Sequence, residues 1–203
     1  LLAVGLVPTS PQAEAIVASH LKAKPDSHAV RLSYVRVLTS SQRYGDATSQ
    51  LESVTRIAPD MAPPWLTLGA LHVELRHPAE ATAALKTYLH KLEASPAAAA
   101  AASDDEDDDE ATPPSSAAEQ GRTQAWLLLA QAAEQQRDFK GAEGWLAKVD
   151  NPQRALEVQT RRASLLARQG KLRDARVLVQ QVPERRPEDA RAKLLAESQV
   201  LRE

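Results

Sequence analysis

Five histidines, His20, His28, His72, His77 and His90, are the side chains of this 203-residue chain best suited to bind a metal or carry a proton near neutral pH. Zinc-type ligation on a helix needs two of them on one face, as in His-Glu-x-x-His, and no such spacing occurs. His72 and His77 come nearest, but five residues turn a helix through about 140°, which sends them to different faces. They are expected as helix-surface or interface histidines, with no metal bound. Cysteine is absent, so disulfides, thiol catalysis and thiolate ligation are excluded. That absence fits an oxidising bacterial envelope and the cytoplasm equally, and it leaves localisation open. No serine sits in a glycine-flanked hydrolase elbow and no glycine-rich loop is present to cradle phosphate. Neither enzymatic chemistry nor a cofactor is expected within these residues.

The remaining chemistry is in the charge. The net charge of −2 conceals an uneven distribution. Residues 1–95 carry 9 basic and 8 acidic side chains, residues 96–119 carry 0 and 8, and residues 120–203 carry 16 and 11. The run Asp104 to Glu110 lacks the alternating ligands and the glycine of a calcium loop, and reads as solvated linker. Between Pro152 and Lys193 lie 11 Arg or Lys against 5 acids, including Arg161, Arg162, Arg168, Arg173, Arg176, Arg185 and Arg186. No aromatic accompanies them, so single-stranded nucleic acid is a poor fit and none is expected as partner. The default is a solvated helix face. The sharper alternative is that the acidic run transiently covers this basic surface and competes with an acidic partner.

These side chains must be positioned by helices. Ala, Leu, Gln, Glu and Arg are abundant and only seven aromatics are present, which favours helix over sheet. No stretch of about 18 uninterrupted apolar residues exists, so no membrane insertion is expected. The spacing predicts helices over 10–24, 28–41, 45–57, 62–75 and 78–92, with Ser10 as N-cap and Pro11 in the first turn. The breaks within each pair are short, so paired helices run antiparallel. A period of 34 residues links Ala13, Ala47 and Ala81, and likewise Val17, Leu51 and Leu85. The step from Ala81 to Ala142 is 61, one period plus 27, and Ala175 lies 33 further on. The acidic segment is therefore an insertion between units rather than a replaced unit.

The boundaries that follow are a partial unit 1–27, units 28–61 and 62–95, a disordered insertion 96–118, and a second array over 119–203. That array holds units 123–155 and 156–189 and a partial unit 190–203. Residues 96–118 hold no apolar side chain larger than Ala, so nothing drives their packing. The stack is expected to continue past this loop, because closure entropy grows slowly with loop length. Leu1 falls in the middle of a unit's first helix, so the chain is expected to begin inside a longer array; a signal-peptide remnant is the alternative. Helices cut at both ends leave faces through which self-association is possible.

The unit from Ala62 carries Trp65, Leu68, Gly69, Ala81 and Leu85; the unit from Thr123 carries Trp126, Leu129, Ala130, Ala142 and Leu146. The unit from His28 is looser, with Arg31 in the Trp place. The unit from Leu156 keeps Ala163, Leu166, Ala175 and Pro187. This register resembles the tetratricopeptide repeat (TPR) family, and in particular bacterial TPR-repeat proteins. His72 stands at the family's Tyr position and Glu93 at its Pro position. The small residues Gly69, Ala130 and Ala163, facing Ala81, Ala142 and Ala175, let paired helix axes approach, while Trp65 and Trp126 fill wider gaps toward a neighbouring unit.

The resemblance implies an all-α α-solenoid of antiparallel helix pairs, a right-handed superhelix interrupted by a disordered acidic loop. It also implies a non-catalytic scaffold or adaptor that holds a protein or peptide in a concave groove lined by the first helix of each unit. Carried onto this chain, the groove positions include Leu32, Arg36, Thr39 and Ser40; Leu66, Ala70, Val73 and Glu74; Gln124, Leu127, Gln131 and Glu134; and Thr160, Ser164 and Arg168. Some of these leucines are alternatively covers for the next unit. The Lys and Asn residues with which chaperone-binding members clamp a terminal carboxylate are missing, so that role is not expected. The alternative function is the TPR portion of a larger enzyme, such as a glycosyltransferase, whose catalytic domain lies outside this chain.

Overall fold

The computed structural model describes residues 11–94, 114–150 and 154–181, with Arg191, Lys193, Leu194 and Ser198 beyond them. The described residues form helices and connecting turns, with no strand among them. The helices are α1 (Pro11–Ala23), α2 (His28–Ser40), α3 (Tyr44–Ile57), α4 (Ala62–Glu74), α5 (Pro78–Ala94), α6 (Pro114–Gln135), α7 (Phe139–Leu146), α8 (Ala155–Arg168) and α9 (Leu172–Gln180). The fold is all-α, a helical-repeat solenoid in its construction. The first five helices agree with the sequence expectation to within two residues at either end.

One boundary is corrected. Helix was expected to resume near Glu119, with 96–118 disordered throughout, but α6 begins at Pro114. Proline has its φ preset for a first turn, and Ala117 and Ala118 are strong helix formers. The acidic run itself, the first residues of the partial unit 1–27 and most of the partial unit 190–203 lie outside the described residues.

Contacts divide the chain into two compact units, residues 1–128 and 129–203. In the first, Val35 and Leu38 of α2, Ala47 and Leu51 of α3, Leu68 and Leu71 of α4 and Ala84 of α5 form one core cluster. Leu32, Tyr34, Tyr44 and Trp65 pack against it. Trp65 thus leaves its own helix to cover the core of the preceding pair. Ala47, Ala81 and Leu85 are fully buried. Gly69 receives Leu85 directly: a Cβ on Gly69 would stand 2.5 Å from Leu85 Cγ. The first half of α6 also packs within this unit. Gly121 lies against the buried Tyr88 of α5, whose Cζ is 3.2 Å from where a Cβ would be. Burial raises the Tyr88 phenol above its ordinary range, with the Arg122 charge opposing. In the second unit, Ala130, Ala142, Ala163 and Ala175 are all fully buried, as the spacing required. Leu146 and Val179 complete that packing.

Each helix pair is joined by the same turn. Gln42, Arg76, Arg137 and Gly170 have φ of 58°, 57°, 59° and 79°, the left-handed conformation. They recur at the steps of 34, 61 and 33 already set by Ala47, Ala81, Ala142 and Ala175. The next residue's N–H closes back on the helix: Arg43 to the Leu38 carbonyl, His77 to His72, Asp138 to Ala133 and Lys171 to Leu166, at 2.8–2.9 Å. The left-handed residue donates to the carbonyl three residues earlier, for example Arg76 to Val73 at 3.1 Å. This is the Schellman arrangement, and it satisfies carbonyls that a helix end leaves without partners. In the third turn the Asp138 side chain also accepts from the Gly141 N–H at 2.9 Å, capping α7.

The joints between successive pairs in the first unit are alike as well. Trp65 Nε1 donates to the Pro59 carbonyl at 3.1 Å. One period earlier, Arg31 Nη2 donates to the Pro25 carbonyl at 3.2 Å. Arg31 therefore takes over the hydrogen bond of the Trp whose place it occupies.

Candidate partner-binding faces

The expected groove positions on the first helices range from exposed to buried. In the first unit, Arg36 and Ser40 of α2 and Glu74 of α4 are exposed, while Leu32, Thr39, Leu66 and Ala70 are half-buried. Two expected groove residues differ. Val73 is 1% exposed and Leu127 is 8% exposed, so both are core side chains in this structure and offer no surface to a ligand. Val73 follows His72 on the part of α4 that turns toward the packing, where an apolar β-branched side chain is retained inside. Leu32 has a double character, since it packs against the core cluster and keeps part of its surface accessible. Gln124, also in the first unit, is exposed.

The face of the second unit is polar. Gln131, Glu134, Thr160 and Ser164 are half-buried and Arg168 is exposed. Glu134 is engaged: Arg161 Nε of α8 donates to its Oε1 at 2.8 Å. The next residue, Arg162, reaches Glu143 of α7 at 3.4 Å and Gln159 at 3.3 Å. Adjacent arginines on α8 thus tie that helix to α6 on one side and to α7 on the other. Sequence reasoning placed both in a basic surface. Here they are half-buried ion-pair partners, and Arg154 is paired with Glu157 within its own turn. Arg173 and Arg176 of α9 remain exposed.

The histidines also differ from the ideal-helix expectation. His72 is buried, at 8% exposed, and its Nδ1 has no hydrogen-bond partner. The helix ends at Glu74 and the chain reverses at Arg76, which brings the exposed His77 ring to 5.9 Å from that of His72, tilted by 42°. Among the described residues, no three His, Asp or Glu side chains gather in a way that could hold a metal ion. No described helix is long and apolar enough to cross a membrane.

Neither a family model nor a curated protein sequence matches this chain. Solved structures do. The chain is similar to MamA, residues 41 to the end, from Desulfovibrio magneticus RS-1, at 13% identity with a TM-score of 0.63, covering 87% of this chain and 86% of that one. It is similar to YrrB, a TPR protein with an unusual peptide-binding site, at 13% identity and a TM-score of 0.58, covering 92% and 82%. It is also similar to PilW, a type IV pilus biogenesis factor, at 21% identity and a TM-score of 0.51, covering 93% and 81%. At such identities the likeness concerns the fold, and the fold is that of a tetratricopeptide repeat protein.

Proposed function

We propose that this chain is a non-catalytic scaffold that binds a protein or peptide on the first-helix faces of its units. The observation carrying the reading is the pair of equivalent leucines, Leu32 and Leu66, one period apart and half-accessible beside Ala70, with the opposite charges of exposed Arg36 and Glu74 flanking them. An apolar strip edged by both signs of charge suits an amphipathic or extended peptide, whose apolar residues take the strip and whose charges set its direction. The second unit supplies a polar face of Gln131, Thr160, Ser164 and Arg168 suited to hydrogen bonding. A TPR fold with a peptide-binding site among the similar structures supports the reading.

Selection of peptides from a random display library against the 203-residue chain tests it. Selected peptides are expected to lose at least about tenfold in affinity on Ala70→Arg or Arg36→Glu, a change of about 1.4 kcal/mol. They should bind undiminished to Gly144→Ala, which alters an exposed position of α7. Binding indifferent to the first two substitutions would end the proposal.

A further inference from the structure

We propose that His72 is an acid-sensitive joint of the first unit, at which protonation of the imidazole loosens the packing of α4 against α3 and α5. This acid response is independent of what the unit binds. In a Schellman turn, the residue whose carbonyl accepts the closing bond and the residue whose N–H donates it stand side by side, and an apolar contact between them commonly seals the helix end. In three turns of this chain the carbonyl partner is apolar: Leu38, Ala133 and Leu166. In the turn between α4 and α5 both members are histidines, His72 and His77, with the His77 N–H on the His72 carbonyl at 2.8 Å and ring centroids 5.9 Å apart.

The two rings are in unlike surroundings. His77 is exposed, whereas His72 is buried, with Nδ1 sealed from solvent and unpartnered. A neutral imidazole tolerates this, because it can leave Nδ1 as a bare acceptor. A protonated one has N–H groups at both nitrogens, so a donor is buried without an acceptor and a charge is held away from water. The charged groups acting on the ring are Glu80 of α5 and Glu52 of α3, which favour the proton, and His77, which opposes it. Burial outweighs them all and holds the His72 imidazole below its ordinary value. The unfolded chain takes up this proton at about pH 6.5. Stability from this group is therefore complete above that pH and declines as pH falls from there toward the lowered folded value, because the unfolded state then binds the extra proton.

Hydrogen exchange of residues 62–94 in the 203-residue chain, corrected for intrinsic rates and compared at pH 8.0 and 5.5, reads the effect by segment. The opening equilibrium of α4 and α5 is expected to rise by up to about tenfold per pH unit below about 6.5. His72→Leu, which fills the site without a titrating group, should abolish that rise. His77→Asn should keep it, in a smaller form. An equal acid response in His72→Leu, or loss of the response in His77→Asn alone, overturns the proposal. Imidazole titration of the parent chain by NMR decides the matter independently of any variant: His72 must titrate below His in an unfolded peptide, and titration at or above that value overturns it.

Discussion

Leu85 occupies the space that a side chain at Gly69 would fill. Its Cγ and Cδ2 lie 2.5 and 2.6 Å from the position of an added Cβ, and Leu85 itself is fully buried. Alanine at 69 must push the paired helices apart or force Leu85 off its rotamer, at a cost of about 1–3 kcal/mol. Ala81→Leu is expected to cost about the same, since Ala81 is fully enclosed on the facing helix. Gly45 and Gly144 are the contrast, with open space around a built Cβ. Gly45→Ala and Gly144→Ala should stabilise by about 0.4–1 kcal/mol through the unfolded chain. Urea denaturation of the four variants checks both signs.

The left-handed turn residues supply a second comparison. Gln42 and Arg137 hold φ near +58° with a Cβ present, a conformation that costs about 1–2 kcal/mol outside glycine. Gln42→Gly and Arg137→Gly relieve that strain and add freedom of about 0.5–1 kcal/mol to the unfolded state. A net stabilisation of about 0.5–1 kcal/mol is expected. Gly170→Ala should move the other way by about 1–2 kcal/mol. Thermal melts of the three variants in one buffer are sufficient to see this ordering.

The joint bonds of Trp65 and Arg31 are separable from packing. Trp65→Phe keeps the ring on the core cluster and removes the donor to Pro59; Arg31→Met keeps a stem of similar length and removes the donor to Pro25. Trp65→Phe should cost about 0.5–1.5 kcal/mol, the net value of one hydrogen bond, and Arg31→Met about twice that, because it also removes the donor to Gln50 Oε1 at 2.7 Å. The penalty should appear as faster hydrogen exchange on both sides of the affected joint rather than in one helix.

The period was legible in the chain because it is written in residues that only packing explains, Ala47, Ala81, Ala142 and Ala175. The turns follow the same steps, yet only one of them, at Gly170, has the residue type that announces a left-handed φ. Gln42, Arg76 and Arg137 give no such signal, because the hydrogen bonds that impose the conformation come from the backbone. Arg31 looked like a failed Trp, although both side chains carry an N–H at the reach needed for the same carbonyl. Val73 and Leu127 were expected in the groove and are core. Helical spacing alone does not say how far the neighbouring helix wraps around a face. The 140° separation of His72 and His77 assumed a helix that continues past Glu74. A break of two residues was enough to bring the rings together.

Arg161 and Glu134 test how the second unit is held. Their 2.8 Å pair is partly shielded from solvent, and both groups lie on faces that a partner-binding reading would otherwise leave free. A double-mutant cycle with Arg161→Met and Glu134→Gln is expected to give a coupling energy of about 1 kcal/mol in low salt. The coupling should shrink at an ionic strength of about 1 M, where the Debye length falls to about 3 Å. A coupling of zero would mean that this ion pair does not hold α8 to α6.

The equivalence of the Arg31–Pro25 and Trp65–Pro59 joints makes length a quantised property of this chain. Both joints hang an incoming helix from the carbonyl of a proline two residues past the previous helix. Excising residues 28–61 brings Trp65 to the position beneath Pro25 that Arg31 had occupied, so a coupling of the same kind is remade rather than an interface lost. The ruler can be shortened by one graduation, and 34 residues is the size of that graduation.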